Sequence, residues 1–72
     1  NAIRALADFI SRVDELNGNY QGATINVGKI EGGGATNIVP DLALAYIDVR
    51  TKTIADEEWL MNHFHRIIND IN

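Results

Sequence analysis

The feature that most restricts this chain is a change of hydrophobic period, from helical to strand-like and back, within 72 residues. Apolar side chains at Ile3, Leu6, Ala7, Ile10, Val13 and Leu16 recur at spacings of three and four, which predicts an amphipathic helix over residues 2–16. Asn17-Gly18-Asn19 stops it, with Gly18 suited to the left-handed position after a helix end. Ala23, Ile25 and Val27 then alternate with Thr24, Asn26 and Gly28, and that period of two predicts a half-buried strand from Ala23 to Ile30. A loop follows from Glu31 to Asn37, bounded by Pro40. In a second strand, Leu42 to Arg50, the side chains of Ala43, Ala45, Ile47 and Val49 point one way; Leu42, Leu44, Tyr46, Asp48 and Arg50 point the other. Thr53-Ile54-Ala55-Asp56 reads as a capping box, and the helix after it carries Leu60, Phe64, Ile67, Ile68 and Ile71 on one face.

The predicted order is helix, strand, strand, helix. Two strands under two helices make a poor domain alone. The pattern is the middle of a four-stranded βαββαβ unit of the α+β class, with the outer strands lacking. The chain opens on Asn1-Ala2-Ile3, already inside the helical pattern, and reads as a cut edge of one partial domain spanning residues 1–72.

Composition narrows function by exclusion. With no cysteine there are no disulfides, thiolate metal clusters or cysteine nucleophiles, which fits a reducing cytoplasm. The net charge is −4 and the six basic residues are scattered, whereas nucleic-acid binding wants a clustered basic face. No apolar run approaches the roughly 20 residues that span a bilayer, so neither nucleic acid nor membrane is expected as a partner.

Several groups have a plain structural reading beside a chemical one. His63 and His65 stand two apart on a predicted helix, about 200° from one another, and so cannot grip one metal ion together. Asp56, Glu57 and Glu58 suit the charge of a helix N-terminus better than acid–base work. Trp59 and Tyr46 are stacking surfaces or core filling. Gly32-Gly33-Gly34 lacks the lysine and the following helix of a phosphate cradle; it is either a flexible connection or a place where a ligand nears the backbone. Asn37 and Arg50 are the chemical candidates. Arginine's planar fork matches a carboxylate, and a carboxamide can bond an amide, so together they suit a substrate with a carboxylate next to an amide. The alternative for Arg50 is a surface ion pair with Asp48.

The runs Gly22 to Gly33, Ala35-Thr36-Asn37-Ile38-Val39-Pro40-Asp41 and Asp48-Val49-Arg50 resemble the M20 family of metallopeptidases, nearest to its glutamate carboxypeptidases, acetylornithine deacetylases and succinyl-diaminopimelate desuccinylases. The resemblance implies a ferredoxin-like lid and dimerisation domain, of which this chain holds the central αββα portion. It implies a parent hydrolase that cleaves amide bonds of N-acyl amino acids or peptides with two zinc ions held in a catalytic domain. No cofactor, metal ligand or catalytic residue is expected in this chain, and the segment alone is expected to be inactive. Asn37 matches the family's loop asparagine, Arg50 its strand arginine, and Gly33 its glycine loop, all substrate-binding. A homodimer is expected through the edge strand Ala23 to Ile30 and the first helix. The competing expectation is a non-enzymatic ferredoxin-like module that binds a metabolite or dimerises.

Overall fold

The computed structural model describes residues 1–17 and 22–71. The chain forms α1 (Ala2–Leu16), β1 (Ala23–Gly32), β2 (Ala43–Thr51) and α2 (Ile54–Ile71), in the predicted order. The two strands are antiparallel neighbours and both helices lie on one face of them, an α+β arrangement consistent with part of a ferredoxin-like lid.

Local signals account for the element ends. The Asn1 side chain accepts from the Arg4 N–H at 3.1 Å and caps α1. At the other end the cap is Asn17, in extended conformation with its N–H on the Asp14 carbonyl at 3.1 Å; Gly18, expected to take the left-handed position, lies outside the described residues. Thr53 Oγ1 accepts from the Asp56 N–H at 3.1 Å, the anticipated cap of α2, and Asp56 and Glu57 supply negative charge in its first turn.

β1 departs from expectation. It runs on through Glu31 and Gly32, which were read as loop, and its register slips between Val27 and Lys29, leaving Gly28 as a bulge. The bulge has a consequence for the faces. Strand side chains alternate, so without an extra residue Ile30 would follow Thr24 and Asn26 onto the open face. With it, Ile30 pairs with Ala45 and joins Ala23, Ile25 and Val27 on the helix side. On β2 the predicted alternation holds: Ala43, Ala45, Ile47 and Val49 are half-buried, and Leu44, Tyr46, Asp48 and Arg50 are exposed.

The core is small and lies toward one end. Val13, Ile25, Leu60 and Phe64 are buried, with Phe9, Leu16, Ala23, Ile47, Val49, Trp59 and Ile67 packed around them. Phe9 meets Phe64 edge-on, ring centres 5.9 Å apart. Arg12 joins the helices on the surface by pairing with Asp70 and, at 3.1 Å, with Asp8. Those two hydrogen bonds, Asp70 foremost, raise the guanidinium above its ordinary pKa. The other end of the hairpin runs out past this core. The radius of gyration is 13.6 Å, against about 11 Å for a compact domain of this length.

Gly22 is fixed by what surrounds it. A Cβ there would lie 2.3 Å from the carboxyl carbon of Asp56, and the Gly22 carbonyl already accepts from the Lys52 N–H at 3.1 Å. Gly22→Ala is therefore expected to cost about 1–3 kcal/mol through overpacking. Urea unfolding would show it as a lower midpoint at unchanged slope; an unchanged midpoint would mean that Asp56 moves aside freely.

Candidate substrate contacts and the free sheet edge

The turn joining the strands is held at both sides. The Ala2 N–H, one of the unpaired donors at the start of α1, bonds the Pro40 carbonyl at 3.0 Å, and the Ile38 N–H bonds the Ala35 carbonyl at 3.2 Å. Gly33 has φ +86°, so its backbone calls for glycine, and a Cβ there would stand 3.0 Å from the tip of the Ile3 side chain. Gly33 lines an open cleft of about 450 Å³ with Glu31, Pro40 and the largely exposed Ile38, Val39 and Leu42. Asn37 is exposed on the same turn.

Arg50 lies elsewhere. Its side chain is 82% exposed and its Nε donates to Asp48 Oδ2 at 3.2 Å, the surface pair weighed above. Both groups remain in solvent, where such a pair contributes little. Among the described residues the two Nη atoms of Arg50 have no partner, so the fork is open to a ligand.

Arg50 and Asn37 do not converge within one copy. Arg50 pairs with Thr24 at one end of the hairpin, whereas the turn that carries Asn37 joins Gly32 and Ala43 at the other. Seven residue steps along the strand separate Ala43 from Arg50, a run of about 24 Å. Within one copy the two residues therefore stand at opposite ends of the hairpin.

The remaining candidates resolve structurally. His63 stacks on Trp59 with ring centres 3.9 Å apart, and its Nδ1 lies 2.9 Å from the Trp59 carbonyl; His65 is exposed. No group of three or more histidine, aspartate or glutamate side chains is placed to hold a metal among the described residues. Tyr46 stands on the open face, its hydroxyl 3.3 Å from Glu31 Oε2 and its ring 5.2 Å from Lys29 Nζ. No helix among the described residues is long and apolar enough to cross a membrane.

Sequence reading passed over one surface. α1 turns Phe9, Val13 and Leu16 onto the core. Ile3, Leu6, Ala7 and Ile10 belong to the same apolar stripe but line an open recess of about 360 Å³, floored by Ile30, Gly32 and Ala43. Beside it, the outer edge of β1 pairs with no strand among the described residues. The signal was present: the stripe on α1 is wider than one small core uses.

An unpaired edge strand flanked by an apolar helix face defines an association module, whose natural complement is another sheet edge. Comparison with known proteins agrees. The chain belongs to the M20 peptidase family, matching its peptidase dimerisation domain over residues 1–72. It is 32% identical over 84 aligned residues to a protein of Paracoccidioides lutzii named probable carboxypeptidase, covering 100% of this chain and 19% of that protein. A probable carboxypeptidase of Aspergillus fumigatus is 37% identical over 62 residues, 69% of this chain and 14% of its own length. One of Paracoccidioides brasiliensis is 34% identical over 70 residues, 81% and 16% respectively. The chain thus spans less than a fifth of these relatives. No solved structure matches it.

Proposed function

We propose that this chain is the substrate-binding lid and dimerisation domain of a cytoplasmic, zinc-dependent hydrolase that cleaves amide bonds of N-acyl amino acids or peptides. It is inactive alone, and its substrate site is built from two copies. The carrying observation is the outer edge of β1, which pairs with no strand among the described residues, beside the open apolar recess along α1. A two-fold axis normal to the sheet pairs β1 antiparallel with its mate and sets both copies of α1 on the same side. The Ala23 end of one strand then adjoins the Gly32 end of the other. Arg50, beside Thr24, comes within two strand spacings, about 10 Å, of the strand end that leads into the partner's glycine turn. An arginine side chain and a small substrate span that gap; neither spans the separation within one copy.

In this arrangement Arg50 offers two free N–H groups to a substrate carboxylate. The partner's Asn37 bonds the carbonyl of the scissile amide and the oxyanion that develops there, and Gly33 admits the substrate close to the backbone. The residues described do not fit a zinc site: the Nδ1 of His63 faces the Trp59 carbonyl, and His65 stands two positions further round the helix. The metal ions are accordingly assigned to the parent's catalytic domain, and no step described here passes through them.

Ile30 tests the interface. It is 61% exposed beside the β1 edge, so Ile30→Lys leaves the fold intact. Placing a charge where an apolar side chain is to be buried is expected to weaken dimerisation about tenfold or more, roughly 1.4 kcal/mol. Sedimentation of the full-length protein across a concentration series measures this; an unaltered dimer constant would remove this edge from the interface.

A further inference from the structure

The residue that ends α1 also occupies the edge on which the dimer is built. Asn17 Nδ2 donates to the Ile25 carbonyl at 2.7 Å, and Asn17 Oδ1 accepts from the Ile25 N–H at 3.1 Å. A carboxamide has the donor and acceptor of a peptide group, so these are the two bonds an adjoining strand would make with Ile25. Ile25 stands opposite Val49, yet its N–H and C=O face away from β2, toward the outer edge. By alternation Val27 presents its backbone the same way, and past the bulge Ile30 and Gly32 do so as well.

The geometry points to Asn17 as a register stop for the dimer, a positioning residue that acts through the strand. It holds the outer edge at Ile25 and confines pairing to Val27 through Gly32, so that Val27 faces the partner's Gly32 and the two-fold axis falls between Lys29 and Ile30. This rests on the dimer proposed above. The consequence reaches the substrate site. With that axis the partner's chain beyond Gly32 passes outside Asn17 toward the Thr24 end of the hairpin, so the Asn37 turn flanks Arg50. Pairing along all of β1 would move the axis between Val27 and Gly28 and set the partner's Glu31 there, short of the turn.

The chain has no cysteine, so single cysteines introduced into an otherwise cysteine-free full-length protein read the register. Asn26 and Lys29 are both exposed on the open face. With Asn17 in place, two copies of Lys29→Cys lie about 5–8 Å apart and two copies of Asn26→Cys about 14 Å or more. Disulfides need about 4.4–6.8 Å between Cα atoms. Intersubunit disulfide formation is therefore expected to be at least tenfold faster at position 29. Adding Asn17→Ala opens the edge at Ile25 and is expected to bring the two rates together. Hydrogen exchange supplies a second readout: Ile25 amide protection is independent of protein concentration while Asn17 is present, and protection at Val27 and Ile30 rises with dimer. A dimer that cross-links equally at both positions, or faster at 26, overturns the register stop while leaving the dimer standing. A protein that stays monomeric overturns both.

Discussion

Leu60→Ala is expected to remove a large part of this domain's stability. Leu60 is fully buried on α2 and belongs to the cluster that joins α1, β1 and α2 through Val13, Ile25 and Phe64. Truncating a buried leucine costs about 2–5 kcal/mol, the lost transfer free energy plus the cavity left behind. A domain of this length carries about 4–11 kcal/mol in total. Among the described residues four hydrophobic side chains are buried, which leaves little redundancy. With a urea slope of about 1 kcal/mol/M for a small domain, the midpoint is expected to fall by about 2 M or more. Leu60→Met, which keeps the volume, is expected to cost under about 1.5 kcal/mol. Equal, small losses for both variants would show that the core does not centre on Leu60.

Arg50→Ala in the full-length enzyme carries the second large effect. The side chain is 82% exposed and its partner among the described residues is a solvent-facing carboxylate, so the substitution leaves folding nearly unchanged. Its effect on catalysis is different. A guanidinium bonding a substrate carboxylate contributes about 1–3 kcal/mol to transition-state binding, which is a loss of roughly 5- to 150-fold in kcat/KM. The loss should appear for substrates with a free carboxylate and shrink for their amides. Equal losses for both substrate types would show that Arg50 does not read the carboxylate.

The elements were legible because each is written in a periodic pattern. Alternation from Ala43 to Val49 predicted which side of β2 faces the helices, and Thr53 with Asp56 announced the start of α2. Gly28 was not read as a bulge, although a glycine inside an alternating run is the usual sign of one. Without the bulge, the continuation of β1 through Glu31 and Gly32 had no apolar partner to reveal it. The stripe on α1 was legible as apolar but not as divided between a core side and an open side, since periodicity does not say what covers a face. The Asn17 contact with Ile25 depends on tertiary placement and left no local trace. Arg50 and Asn37 were individually legible, but their relation was not. Thirteen positions look close on paper, yet most of them form a straight strand rising about 3.3 Å per residue.

Complementation between two damaged copies probes the two-copy site most directly. Arg50→Ala and Asn37→Ala subunits of the full-length enzyme, each weakly active alone, are mixed, unfolded and reassembled in equal amounts. If each site takes Arg50 from one copy and Asn37 from the other, half the dimers are mixed and each holds one intact site, restoring about a quarter of wild-type active sites. Activity no greater than the sum of the two variants measured separately would contradict the account and show that Arg50 and Asn37 do not share a site.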